Sequence, residues 1–430
     1  MSHSKVVVWF ACAALAVVAD ALPARPAERR EACAGEHGSV LDREAGLEQE
    51  MPCRLDACPS SANTSTLWAS GVGTIVMNRH SFVALSGLLL AVPCIAQEDG
   101  AVQQQMAAVA AALIATVEQA GPTEAMLGVG RKANLMLPVD SPERVNWQYW
   151  PTVRVGLPLE YMSAVQRRLV HDLLRTLLSS NGYLKATQIM QLEEILDAFD
   201  EAGLPRSVDH YRLVVFGTPS VDGPWAWRFE GHHVSLNVAV SPDRVTVTPS
   251  FFGANPAEVV GGPLAGLRVH GILEDLAREL LMSLSDAQRA EAIVADRAPA
   301  EIFSGNINKE RSQWEAWRQT LVPQGVAVAD LNEVQQQWVR RVIDEVVGNY
   351  RPELAAQYLA NLDIEDLKFA WMGPPERHAP HYFRLQGADF MFEYDNVQND
   401  GNHVHSVWRS LAEDFGQDAL ADHYRTSHLR

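Results

Sequence analysis

Apolar positions recur at helical spacing through the first half of the chain. One amphipathic stretch opens at Ser163, with Gln166 three residues on as the second half of a capping box, and runs to about Ser179. A second runs from about Lys185 to Phe199, and the alanine-rich segment 101–119 is also read as helix. From Tyr211 the period falls to two. Tyr211–Phe216, Trp225–Val240 and Arg244–Phe252 are rich in β-branched and aromatic residues, with the turn formers Gly217-Thr-Pro-Ser220 and Ser241-Pro-Asp243 between them, which predicts an antiparallel meander. Within it Val234, Leu236, Val238 and Val240 share one face and His233, Ser235 and Asn237 the other. Asn255-Pro-Ala-Glu258 has the order of a helix start, and helices are expected at Ile272–Leu284, from Ser285-Asp-Ala-Gln288 to about Asp296, and from Asp330-Leu-Asn-Glu333 to about Val347. Strands return at Leu367–Trp371, His381–Leu385, Phe390–Asn396 and His403–Trp408. Strands, then helices, then strands predict an α+β fold in which the two strand groups, about 211–252 and 367–408, join in one mostly antiparallel sheet packed with helices, in a single domain over 97–430.

Two leader-like segments precede that domain. Residues 1–26 carry Lys5, an apolar run from Val6 to Val18 and the small-x-small pattern Ala19-Asp20-Ala21. A second set begins at Met77, with Arg79, an apolar stretch from Phe82 to Val92, and Cys94-Ile95-Ala96 before Gln97. One export signal suffices, so the expectation is that Met77 is the start, 1–76 an upstream over-extension or leader, and 77–96 a signal peptide cleaved near Ala96. The protein is then exported, to the periplasm or beyond. All five cysteines lie before Gln97, which removes thiolate zinc sites, iron–sulfur clusters and cysteine nucleophiles from the predicted mature chain. Fifty-three acids against 35 bases give a net charge of −18, a poor match to nucleic acid. No apolar run after Gln97 is long enough to span a membrane.

Histidine is where the candidate chemistry lies. Phe229-Glu230-Gly231-His232-His233, read as continuous strand, puts Glu230 and His232 on one face and His233 on the other, so one imidazole is buried and Glu230 is its natural partner. A denser group is formed by His381, by Glu393 and Asp395, and by His403-Val404-His405. His-x-His on a strand sets two imidazoles about 7 Å apart on one face, within reach of one ion if a third ligand comes from a neighbouring strand. Register decides whether the carboxylates join them. A two-residue loop at Asp400-Gly401 sends Glu393 and Asp395 to the opposite face, whereas a three-residue loop of Asn399-Asp400-Gly401 pairs Asp395 with His405 and gathers the set. The ligand candidates are therefore His232, His381, His403 and His405 around a divalent metal ion, with Glu230 or Glu393 as general base. Hydrolysis is favoured over oxidation, because activated water is the least demanding chemistry for such a site. Calcium-loop, cupin, nucleophile-elbow and phosphate-loop patterns all fail on their remaining positions. The competing expectation is a non-catalytic envelope protein that holds a small ligand through Trp225 and Trp227 with Arg228, Arg384 and Arg409. Trp314, Trp317 and His423 are weaker candidates. The metal reading requires histidines from distant strands to converge within about 4–5 Å of one point.

Phe216-Gly-Thr-Pro-Ser220, Pro224-Trp-Ala-Trp-Arg-Phe-Glu-Gly-His-His233, Phe251-Phe-Gly-Ala-Asn-Pro-Ala-Glu258, Glu393-Tyr-Asp-Asn-Val-Gln-Asn399 and Asn402-His-Val-His-Ser-Val-Trp-Arg409 together resemble the domain-of-unknown-function family 3500 over about residues 140–425. The resemblance implies one domain, often exported, and no assigned activity. Ala226, where glycine is expected, and Met372, where alanine is common, depart from its pattern without touching a histidine.

Overall fold

The structure, a computed structural model, describes residues 100–119, 134–199, 206–306 and 320–416. The leader segments, Trp314, Trp317 and His423 lie outside the described residues. The strands are β1 (Met136–Leu137), β2 (Leu157–Pro158), β3 (Arg212–Phe216), β4 (Trp225–Gly231), β5 (Val234–Val240), β6 (Val245–Thr246), β7 (Ser250–Ala254), β8 (Ile293–Ala295), β9 (Val326–Ala327), β10 (Lys368–Met372), β11 (His381–Gln386), β12 (Phe390–Asn396) and β13 (Val404–Ser410). They form one unclosed sheet in the order β1-β3-β4-β5-β7-β13-β12-β11-β10-β8, with β2, β6 and β9 as short side pairs. Pairing is antiparallel except at the two ends, β1 with β3 and β8 with β10. The two strand groups join where β7 meets β13, Phe251 opposite Val407, so the fold is the expected α+β with a mostly antiparallel sheet.

Helices cover one face. They are α1 (Gly100–Gln119), α2 (Ala164–Leu177), α3 (Ser180–Phe199), α4 (Gly271–Ser283), α5 (Asp286–Ala292), α6 (Glu333–Val347) and α7 (Pro352–Leu359). Capping boxes open three of them: Ser163 with Gln166, Ser285 with Gln288, and Asn332 with Gln335. The last sets the start of α6 two residues beyond the expected cap at Asp330. The sheet residues beneath are Trp227, Phe229, Leu236, Phe252, Tyr394, Phe383, Trp371 and Trp408, in one buried cluster with Leu173, Leu280 and Val342 of the helices. The expected helix at Asn255–Glu258 does not form. Its amides are taken by Asn402, whose carbonyl accepts from Ala257 (3.0 Å) and whose Oδ1 accepts from Glu258 (2.7 Å), and α4 begins only at Gly271. Likewise α5 stops at Ala292, because the next three residues leave as β8 along β10.

The opposite face is polar and yet buried. It presents Arg228, Glu230, Ser235, Asn237, Glu393, Asp395, His405 and Arg409, and irregular segments at 142–150, 301–306 and 411–416 cover it. Trp147, Tyr149, Ile302 and Phe415 of that cover pack on Phe251 and Val407. Buried irregular chain needs partners for its peptide groups, and the sheet's charges supply them. Glu230 accepts from the Gln148 amide (3.0 Å), Arg228 donates to the Glu143 carbonyl (2.6 Å) and Arg409 to the Ser304 carbonyl (2.8 Å).

Two histidines on the helix side are buried as neutral rings. Burial, with Lys185 nearby, lowers the pKa of His270 to about 3, and burial lowers that of His381 to about 4. An unfolded histidine titrates near 6.5. Below that pH the unfolded chain therefore takes up protons that the folded chain refuses, and stability is lost as pH falls from about 6.5 towards 4. Urea unfolding at stepped pH is expected to show each ring contributing up to about 1.4 kcal/mol per pH unit in this window. A His270→Gln variant is expected to flatten the slope, and equal slopes for variant and parent would refute the assignment.

Candidate metal centre

The histidines meet where three chain turns come together on the loop side. Between β4 and β5 the chain reverses in two residues, since Gly231 pairs with Val234, and His232-His233 is the turn itself. The expected continuous strand Trp225–Val240 is therefore a hairpin, and its face assignment changes: Glu230 shares a face with Ser235, not with Val234. His233 holds φ 64°, left-handed backbone that histidine adopts more readily than most residues. Two main-chain bonds hold it there, from its amide to the Tyr149 carbonyl (2.9 Å) and from the Gly253 amide to its own carbonyl (2.7 Å). Gly253 has no room for a side chain: a Cβ would lie 2.6 Å from the Val404 carbonyl oxygen and 3.0 Å from Cδ2 of His233.

The β12–β13 register is the one with three loop residues. Asn399, Asp400 and Gly401 all have positive φ (52°, 56° and 79°), and Asp395 pairs with His405. Asn396 Oδ1 accepts from the His403 amide at 2.9 Å, fixing His403 just ahead of the strand.

Two groups of ligand atoms result. His232, His233 and His403 each offer a nitrogen, all within 4.8 Å of one another, and so do Glu301, Asp395 and His405 with one atom each. Nε2 of His233 faces Nε2 of His403 at 2.8 Å, and the ring of His232 lies 3.6 Å from that of His233. Nδ1 of His232 meets both Glu193 Oε1 (2.5 Å) and an N–H of the Arg206 guanidinium (2.9 Å), so its Nε2 is the nitrogen left over. Burial is the first cause holding all three rings neutral: it depresses His232 against the pull of Glu193, takes His403 to about 3, and puts His233 well below the usual range. The neighbouring imidazoles push His233 and His403 the same way.

In the second group His405 Nδ1 bonds Glu301 at 2.7 Å. Asp395 is fully buried, and neither carboxylate oxygen makes a hydrogen bond to a side chain among the described residues. Burial, then Glu301 and Glu393, push its pKa up to about 8, with the Val397 amide a weaker opposing influence. Tyr149 stacks on Phe251 and sets its edge against His405 at 5.2 Å; burial and the three carboxylates push its phenol far up, so it is neutral.

Other expected site residues stand elsewhere. His381 pairs with Asn396 on the helix face, stacked flat on Trp371 with Nδ1 on the Ala379 carbonyl, so the sheet separates it from His403 and His405. Glu230 is engaged by Arg228 (3.1 Å) and the Gln148 amide, which ties the covering segment to β4. Glu393 accepts from the amides of Phe303 (2.8 Å) and Ser304 (2.9 Å), from the Ser304 hydroxyl and from Tyr382 (2.6 Å). Arg409 pairs with Asp414 (2.6 Å), and Arg384 is buried with its guanidinium over Phe303. Trp225 and Trp227 are each 1% exposed, and no ring platform faces solvent there. A cavity of about 130 Å³ lined by Arg244, Tyr358, Phe390 and Trp408 contains none of the clustered histidines.

A family model described as a protein of unknown function (DUF3500) matches residues 100–417, a span that holds every clustered side chain. The chain belongs to the DUF3500 family. No curated protein and no solved structure matches it. Within this DUF3500 domain Glu193, Glu301 and Tyr149 had no signal in the sequence, because each reaches the cluster from a distant segment. The Gly231-His-His turn did have one, since a strand from 225 to 240 far exceeds the usual length of about five or six residues.

Glu393 holds the segment that carries Glu301. In Glu393→Gln an amide NH₂ must face donors that now meet an oxygen. The variant is expected to lose about 3 kcal/mol in urea unfolding and to expose the Phe303 and Ser304 amides to hydrogen exchange. Unchanged stability and protection would show that the clamp is not what holds this segment.

Proposed function

We propose that this protein is an exported metal-dependent enzyme, hydrolytic in class, acting on a small-molecule substrate, with a divalent ion held by His232, His233 and His403. One observation carries the reading: the Nε2 atoms of buried His233 and half-buried His403 face each other at 2.8 Å with a third histidine beside them. Rings with depressed pKa values present lone pairs at neutral pH, as a metal requires. Three imidazoles with no thiolate suit zinc and its neighbours and leave a fourth position open. A divalent ion bound there supplies water ionised near neutral pH, which is the basis for hydrolysis.

The protein's own contribution is orientation. Glu193 and Arg206 together fix the direction of the His232 ring, the turn bonds of His233 fix its ring over Gly253, and Asn396 fixes His403. Glu230 and Glu393 act one layer further out, holding 148–149 and 303–304 against the sheet. Export rests on the leader pattern at 77–96. No helix among the described residues is long and apolar enough to cross a membrane. The alternative of ligand binding through Trp225 and Trp227 has lost its exposed rings.

Zinc titration of untagged protein is expected to show tight binding that Glu193→Gln weakens about 10–100-fold and that His233→Ala or His403→Ala weakens further. Hydrolysis of p-nitrophenyl acetate is expected to follow metal occupancy and to vanish in His403→Ala. A wild type that binds no zinc, or hydrolysis indifferent to chelation and to His403→Ala, would overturn the proposal.

A further inference from the structure

We propose that Glu301, Asp395 and His405 form a second cation site directly beside the first, so that the centre is dinuclear. The inference rests on reading the three-histidine group as a metal site, and goes beyond it in assigning the neighbouring carboxylates to a second ion. Asp395 is the decisive residue. Its side chain is wholly inside the protein, neither oxygen has a side-chain hydrogen-bond donor or a cation among the described residues, the Val397 amide is the one donor near them, and its strongest charged neighbours are the carboxylates Glu301 and Glu393. Buried carboxylates elsewhere on this face each face a cation or several donors: Glu230 is ion-paired with Arg228 and accepts from one main-chain amide, Glu393 has four donors, and Asp414 pairs with Arg409. A desolvated carboxylate beside two of its own charge needs a cation or a proton. Glu301 and His405 lie where a cation's remaining ligands belong, with all three ligand atoms within 4.8 Å of one another.

The two groups adjoin. Ring centroids of His403 and His405 are 4.7 Å apart, and those of His233 and His405 are 5.3 Å apart. The ligand chemistry differs between them, with three imidazoles in one and two carboxylates with one imidazole in the other. The second group therefore suits a harder ion such as Mn²⁺ or Fe²⁺. Glu301, Asp395 and His405 would hold the second of two ions, and such a pair would stabilise charge on both oxygens of an in-line displacement at phosphorus, which makes phosphate esters the substrate class of this proposal.

The test is metal stoichiometry by equilibrium dialysis against Zn²⁺ and Mn²⁺, with elemental analysis, on full-length protein. Wild type is expected to hold two ions, Asp395→Asn one, and His233→Ala to lose the other. Asparagine mimics the neutral acid in shape, so a proton-bearing structural Asp395 predicts unchanged stoichiometry in that variant. Glu301→Gln, whose side chain is 38% exposed, gives a second variant that spares the interior and is expected to weaken the same ion at least tenfold. One ion in wild type that both variants retain overturns the second site and leaves the first standing. No ion in wild type overturns both.

Discussion

Buried charge on the loop side of the sheet is what the remaining structure depends on. Three segments of irregular chain and single 3₁₀ turns lie over β-strands there, and many of their peptide groups enter no helix or ladder. Arg228, Glu230, Glu393 and Arg409 meet them from the strands, one or more bonds each, with almost no solvent contact. Burying such groups is costly unless every bond is made, so these positions tie the covering segments to one register. Because 148–149 and 303–304 are tied, Tyr149 and Glu301 arrive beside His405. The residues first read as catalytic bases are thus the ones that hold the cover in place.

The histidines come from places where the chain stops being regular. His232 and His233 make a two-residue turn, His403 sits just before β13, and only His405 is an ordinary strand residue. Turns allow rings to leave the sheet plane and converge, which a strict period of two does not. The cost is a left-handed His233, held by bonds to Tyr149 and Gly253 and by the absence of a side chain at Gly253.

Fold class and most elements were legible because local signals and global packing agree. Ser163 with Gln166 and Ser285 with Gln288 cap the helices where expected, and the strands at 390–396 and 212–216 fall within a residue of their apolar pattern. What misled was long-range competition for backbone groups. Asn255–Glu258 has a good helix-start sequence, but Asn402, far along the chain, takes the amides first. The hairpin register was open between two loops, and three successive left-handed residues chose between them. Asn399, Asp400 and Gly401 are the residue types that tolerate that conformation, so the choice was written locally. His381 stands apart from the cluster for the opposite reason. Its strand was right, but strand parity against Asn396 puts it through the sheet from His405. Glu193 and Glu301 come from a helix and a loop whose sequences give no hint of their partner.

The central claim is that His232, His233 and His403 surround one ion. Anomalous diffraction at the zinc edge from crystals of zinc-loaded protein tests it most directly. The expected result is a peak about 2.0–2.1 Å from a ring nitrogen of each of the three. A zinc-saturated crystal with no peak among these rings, or with the His233 and His403 nitrogens still bonded to each other, would contradict it.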